Sequence, residues 1–177
     1  MTDLVTWPAI LPAALVELPR HVSAILDASS RPVGLVTELA SATGPALVVL
    51  TGADAAVLPE LDQIIAGRAA ATVLLIGDGW IGTEGPDVAA AMVGGGAVAL
   101  ARSIAVRRHA TGRVNVVCVP ERLIGFAGSQ HGPLTLEIRS VDVAEVVAFV
   151  LGSQSSYIDG QVLYADGGRQ LFSSLTA

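Results

Sequence analysis

Asp78 and Glu84 are the residues best spaced for acid–base chemistry in this chain, six positions apart in the segment Asp78-Gly79-Trp80-Ile81-Gly82-Thr83-Glu84. Two carboxylates can divide such work when their surroundings keep one protonated and the other ionised. A polar, glycine-containing segment of this kind is more often a solvated loop. That is the expectation here, with Trp80 as a lid or stacking residue, or as an exposed or interface side chain. Cys118, the only cysteine, could act as a nucleophile through its thiolate. Set in the run Val114-Asn115-Val116-Val117-Cys118-Val119, it is expected instead to be a buried, unreactive thiol. Asn115 is expected to make structural hydrogen bonds to the backbone. His21, His109 and His131 stand far apart, and no His/Cys/Asp cluster has the spacing of metal ligands. All 10 basic residues are arginine, which removes any mechanism that needs a lysine.

The whole chain has 177 residues, 52% hydrophobic and 15% charged, with mean hydropathy +0.63 and net charge −6. That length is enough for one domain, residues 1–177, with a core that removes roughly 70% of the unfolded surface from water. So little charge and so much apolar content exclude a disordered chain. The acidic balance, with no basic run longer than Arg107-Arg108, argues against a nucleic-acid partner. The most apolar window, Val88 to Ala101, is 14 residues between Asp87 and Arg102, which is short for a membrane span. No basic stretch precedes an apolar one at the start, so export is not expected, and a single cysteine fits a cytoplasmic protein. A charge fraction well below the roughly 25% of average soluble proteins points to apolar surface covered in an oligomer.

Short β-branched runs alternate with helical stretches, the pattern of an α/β sheet with crossover helices. Strands are predicted at Val22–Leu26, Ala46–Thr51, Thr72–Ile76, Val114–Cys118 and Gln161–Tyr164, with Leu4–Thr6 as a further candidate. Their unbroken apolar character suits parallel strands covered on both faces. Helices are predicted over Pro32–Thr43, Ala55–Ala66, Pro86–His109 and Val141–Leu151. Ser30 and Ser140 are the predicted N-caps of the first and last of these. Pro59 weakens the second, and Pro120–Pro133 reads as a loop.

Four segments in order resemble the short-chain dehydrogenase/reductase family. Val73–Gly82 resembles its central strand, which ends in a catalytic serine. Ala97–Ala105 (AVALARSIA) resembles the second half of its catalytic helix, and Arg113–Val117 (RVNVV) the strand before its nicotinamide loop. Ser140–Gly168, closing in SYIDGQVLYADGG, resembles its last helix and strand with the Asp-Gly-Gly end. The resemblance covers about 125 residues from Gly44 onward. It implies an α/β fold: a single-domain, doubly wound, mostly parallel Rossmann-like sheet, truncated because only 20 positions separate Gly52 from Thr72.

The same resemblance, carried residue by residue, removes the family's chemistry. The family needs a glycine-rich turn after its first strand to bring pyrophosphate onto helix N–H groups. With Leu4–Thr6 as the first strand, that turn would be Trp7–Pro12, where two prolines and bulky side chains stand. Asp27, a candidate ribose-binding acid, is read as a helix-leading or turn residue, and Gly94-Gly95-Gly96 as helix packing rather than a phosphate loop. The Tyr, Lys and Ser of the reductase mechanism fall on Ala90, Gly94 and Asp78. The Pro-Gly loop becomes Val119-Pro120-Glu121-Arg122, and Asn-Asn-Ala-Gly becomes Val49-Leu50-Thr51-Gly52. No cofactor is therefore expected, and NAD(P) binding is expected to be lost. Asp78, Trp80, Glu121 and Arg122 are left as the lining of a vacated cleft.

The function this implies is a non-catalytic subunit, structural or regulatory, in a homo-oligomer or in a hetero-oligomer with an active reductase. That reductase would act on an acyl-CoA, acyl-carrier or steroid-type substrate. Two other readings stay open: an enzyme with chemistry rebuilt around Asp78, Glu84 or Arg122, and a small-molecule sensor that uses the vacated cleft. The long helix supports assembly. At about 100° per residue, Val93, Ala97, Leu100 and Ile104 face the sheet. Val88, Ala91, Gly95, Val98, Ala99, Arg102 and Val106 then form an outer face with one charge, the candidate interface.

Overall fold

A computed structural model of the chain describes residues 24–27, 44–50, 55–81, 88–108, 111–120, 123 and 138–173. Five strands form one sheet: β1 (Ala24–Asp27), β2 (Ala46–Val49), β3 (Thr72–Gly77), β4 (Val114–Val119) and β5 (Val162–Tyr164). They lie side by side in chain order, and every pairing is parallel. The predicted Leu4–Thr6 strand, the Pro32–Thr43 helix and most of Pro120–Pro133 lie outside the described residues.

Burial explains why these strands read as unbroken apolar runs. Side chains alternate between the two faces of a strand. Ala46, Val48, Leu74, Ile76, Val116 and Cys118 face one layer of helices, and Leu47, Val49, Val73, Leu75, Val117 and Val119 face another. Both layers are apolar, so nearly every position in these runs is apolar, with Thr72 and Asn115 the buried polar exceptions in β3 and β4.

The first layer holds α1 (Val57–Ala66) and α2 (Val88–Arg108), and the second holds α3 (Ser140–Leu151). Pro59 is tolerated because it falls in the first turn of α1, where its missing N–H had no partner to lose. Ser140 is the first residue of α3 rather than its cap. The N-cap is Arg139, whose backbone N–H donates to the Asp142 carboxylate at 2.9 Å. The crossovers that carry α1, α2 and α3 step the same way across the sheet, yet α3 lies on the face opposite α1 and α2. The crossover through α3 therefore has the opposite hand to those through α1 and α2, a departure from the usual right-handed connection.

α2 has 21 residues with a window of mean hydropathy 1.6, long and apolar enough by length and composition to cross a membrane. It exceeds the 14-residue window visible in the sequence because Arg102 does not end it. Of that window 39% is buried, and Val93, Ala97 and Ile104 are wholly buried against the sheet. Leu100 is half-buried against the same core.

The segments Arg113–Val117 and Ile158–Gln161 are stitched together at the start of β4. The Asn115 side chain donates to the Ile158 carbonyl at 2.9 Å and accepts from the Gln161 N–H at 3.0 Å, as expected of a structural asparagine. Asp159 accepts the Val114 N–H at 2.8 Å. Arg113 donates to carbonyls of Val150, Gly152 and Ser155, closing the end of α3. Gly160 has φ of +66°, and a Cβ there would stand 3.0 Å from that of Ala105.

Candidate functional site

In open parallel sheets the binding crevice lies outside the carboxyl ends of the strands. β3, with a strand on either side, ends there in a 3-10 turn, Asp78–Trp80. The expectation of a solvated loop fails at this point. Asp78 is 3% exposed and Trp80 is 2% exposed, so Trp80 is a core residue rather than a lid. The turn folds inward because α2 lets it approach. A Cβ at Gly94 would stand 2.5 Å from the Trp80 carbonyl oxygen and 2.8 Å from the Trp80 Cβ.

A buried carboxylate needs charged or hydrogen-bonding partners. The Asp78 carboxylate has one beside it in sequence and one far away. Its Oδ2 lies 3.3 Å from Nη1 of Arg169, its Oδ1 accepts the Gly79 N–H at 2.9 Å, and its carbonyl accepts the Gln170 side-chain amide at 2.9 Å. Arg169 and Gln170 open the short helix α4 (Arg169–Ser173) just after β5. Asp166, itself 2% exposed, organises this corner by accepting the N–H groups of Gly168 at 2.8 Å and Gln170 at 2.9 Å. Sequence reasoning missed Arg169 and Gln170. The available signal was the run Asp166–Gln170, in which an acceptor precedes backbone N–H groups by two and four positions.

Cys118, paired with Tyr164 across β4 and β5, is fully buried in the first core layer. Burial, reinforced by the negative charge of Asp78 and Asp166, pushes its thiol up to about 12. A thiol this protonated is no nucleophile at neutral pH. Burial also raises the Tyr164 hydroxyl, with Cys118 and Asp166 adding to it and Arg102 opposing. Ala90 and Gly94 are buried on α2, and neither carries a functional group. Glu84, Glu121 and Arg122 lie outside the described residues. Of the four expected cleft residues, the structure thus locates Asp78 and Trp80, both buried.

No protein-family model and no curated protein sequence matches the chain. Solved structures do. A short chain dehydrogenase family protein from Francisella tularensis superposes with a TM-score of 0.62 at 16% identity, covering 90% of this chain and 93% of that one. This is the fold of the short-chain dehydrogenase/reductase family. The 3-alpha-hydroxysteroid dehydrogenase of Pseudomonas sp. B-0831, solved with NADH, matches at TM-score 0.50 and 17% identity, covering 87% and 99% of the two chains. Enoyl-acyl-carrier-protein reductase from Plasmodium berghei, solved with triclosan, matches at TM-score 0.51 and 18% identity over 70% of this chain. The chain spans 58% of the length of that reductase. The expected truncated, mostly parallel Rossmann-like sheet is the architecture observed.

The fold also moves one assignment. In a doubly wound sheet of order 3-2-1-4-5-6, the first strand lies beside the fourth. β1 lies beside β2, the strand that precedes Leu50-Thr51-Gly52. Ala24–Asp27 thus holds the first-strand slot, and the phosphate turn of this fold would begin at Asp27-Ala28-Ser29-Ser30, not at Trp7. By sequence this turn also has no glycine before Gly34.

The outward side of α2 carries Val88, Ala91, Gly95, Ala99, Arg102 and Val106, all exposed, with Val88 and Val106 each 78% exposed. Val98 departs from the expected row. It is half-buried against the core, because it sits one position beyond Ala97 and shares part of its inward turn. Met92, 63% exposed, joins the outer side.

Proposed function

We propose that this chain is a non-catalytic member of the short-chain dehydrogenase/reductase fold, a structural or regulatory subunit that assembles with copies of itself or with an active reductase. The observation that carries the reading is the fate of the three positions the resemblance assigns to catalysis. Asp78, at the serine position, is tied to Arg169 and Gln170. Ala90 and Gly94, at the tyrosine and lysine positions, are core packing on α2. None is left to polarise a carbonyl or deliver a proton.

A nicotinamide cofactor does not fit the same residues. Its pyrophosphate needs closely approachable N–H groups after the first strand. The sequence there reads Asp27-Ala28-Ser29-Ser30-Arg31-Pro32, which begins with a carboxylate and places proline where the helix would open. We infer that NAD(H) and NADP(H) are not ligands at micromolar concentration. The partner's substrate class, acyl-CoA, acyl-carrier or steroid-type, is supported by the similarity in fold to the enoyl-acyl-carrier-protein reductase and the hydroxysteroid dehydrogenase. The cytoplasm is the proposed location. Assembly through α2 is supported by its apolar exposed side, where Arg102 and Arg107 are the only exposed charges among the described residues of the helix.

Isothermal calorimetry of the chain with NADH and NADPH tests the cofactor, and a micromolar dissociation constant overturns the reading. Light scattering of the material co-purified from its host tests assembly. Ala91→Arg and Gly95→Leu are expected to lower the assembled mass and leave far-UV dichroism native. Equal monomeric mass for parent and both variants, with the co-purified partner present, refutes the interface.

A further inference from the structure

Buried cations gather at the amino ends of the strands, the opposite end of the sheet from Asp78. Arg108 is the last residue of α2 and is 4% exposed. Its guanidinium donates to the Ile65 carbonyl at the end of α1 and, at 2.9 Å, to the Ala70 carbonyl just before β3. Among the described residues it has no carboxylate within ion-pair distance. Arg68, 8% exposed, donates to the Gly44 carbonyl just before β2. Gly112 joins the two: a Cβ there would strike the Arg108 guanidinium and stand 2.9 Å from the Arg68 carbonyl oxygen. Burial lowers the Arg108 guanidinium from its usual value, with Asp159 opposing and Arg68 adding to the effect. A charge held this far from water is costly unless a counter-charge meets it.

Two polar atoms at this end are buried without a hydrogen-bond partner, Nε of Arg108 and Oγ1 of Thr72. Thr72, 1% exposed, opens β3. Strand alternation with Leu74 and Ile76 turns its side chain to the layer that holds α1 and α2. Its N–H donates to the Arg113 carbonyl at 2.8 Å, next to Gly112. Both atoms therefore belong to one layer at one end of the sheet. The Nε–H of arginine can only donate, and the threonine hydroxyl can donate. Two donors beside two cations call for an acceptor that carries negative charge. A water molecule answers less well, because its own hydrogens need acceptors, and the Ile65 and Ala70 carbonyls already accept from Arg108. We propose that this corner binds one small monovalent anion of the halide class, held by the Arg108 Nε–H and the Thr72 hydroxyl in the field of Arg68, as a counter-ion that fastens α1 and α2 to the start of β3. Both donors are sealed from solvent, which suits a halide rather than a phosphate. The site is independent of the cofactor and of assembly, so its test and theirs fail separately.

The melting temperature in sodium chloride, set against sodium gluconate at equal ionic strength, tests the site. Chloride at about 200 mM is expected to raise the Tm of the parent by about 3 °C over gluconate, since an ion that binds only the folded chain stabilises it by mass action. Arg108→Met keeps the length of the side chain and removes the guanidinium, and is expected to abolish the increment. Thr72→Val keeps the shape and removes the hydroxyl, and is expected to cut the increment at least about two-fold. Arg107→Met, which breaks an exposed pair with Asp62, is expected to leave it unchanged. Crystals grown in sodium bromide should show an anomalous peak in contact with Arg108 Nε and Thr72 Oγ1. The proposal is overturned by no increment in the parent, by the full increment in Thr72→Val, by a water at the site, or by a bromide peak without any increment, which would be an adventitious ion only. If Arg108→Met does not fold, Thr72→Val is read by the same two measurements.

Discussion

Gly94→Ala and Gly96→Ala place the same methyl group on the same helix two residues apart, and the structure gives them different outcomes. In a helix interior, alanine gains about 1 kcal/mol over glycine from backbone entropy. At Gly94 the new carbon would stand 2.5 Å from the Trp80 carbonyl oxygen, 2.8 Å from its Cβ and 2.9 Å from its carbonyl carbon. These are main-chain atoms, or a carbon fixed directly to the main chain, in a turn whose first residue, Asp78, is itself bonded to Gly79, Arg169 and Gln170. The turn cannot yield without disturbing those bonds, and overpacking of a fixed core costs about 2–3 kcal/mol here, the upper part of the usual range. The net loss is about 1–2 kcal/mol, or a fall in Tm of about 2–8 °C for a chain of this size. At Gly96 the new carbon meets the Cδ1 end of Leu58, which is half-buried and can turn about χ2. That adjustment costs about 0.5–1.5 kcal/mol and roughly cancels the helical gain. Urea denaturation followed by far-UV dichroism, backed by calorimetric Tm, measures both. A Gly94→Ala variant as stable as Gly96→Ala would show that the Asp78–Trp80 turn does not pack on α2 as described.

Three further outcomes follow from single sites. The Cys118 thiol is raised from an ordinary value of 9.0 to about 12, so the stability it contributes is complete below pH 9 and is lost as pH rises toward 12; Cys118→Ala should flatten the stability profile between pH 9 and 11, measured by urea midpoints. Asn115→Leu leaves the Ile158 carbonyl and the Gln161 N–H without their partner and should cost about 2–3 kcal/mol in the same assay. The double variant Ala90→Tyr, Gly94→Lys should show no NADPH-dependent carbonyl reduction, because a side chain at 94 collides with Trp80 and the sequence offers no glycine between Asp27 and Gly34 for a phosphate turn; measurable turnover above the parent in a spectrophotometric assay would refute this.

The strands were legible because a parallel strand covered on both faces is apolar at nearly every position, with Thr72 and Asn115 the exceptions in β3 and β4, and Thr72–Gly77 and Val114–Val119 match the predicted runs to within one residue. α2 takes up every described residue of the predicted helix Pro86–His109. The candidate site was less legible. Asp78-Gly79-Trp80 has the composition of a solvated turn, and nothing local says that Gly94 admits it to the core or that Arg169 pairs with it. Local composition reports propensity, whereas burial of a charge depends on a partner that the chain supplies from a distant segment.

The sequence by itself determined the class of protein: an α/β chain without lysine, with one cysteine in a β-branched run, and with apolar runs that must lie inside a parallel sheet. Those conclusions follow from periodicity and from which side chains exist at all, and they need no coordinates. Tertiary structure decided the rest. It placed β1 beside β2 and so moved the would-be phosphate turn to Asp27. It reversed the hand of the last crossover by laying α3 on the second face. It turned Asp78 from a loop carboxylate into a buried ion pair, because only the folded sheet brings the end of β3 and the turn after β5 within bonding distance.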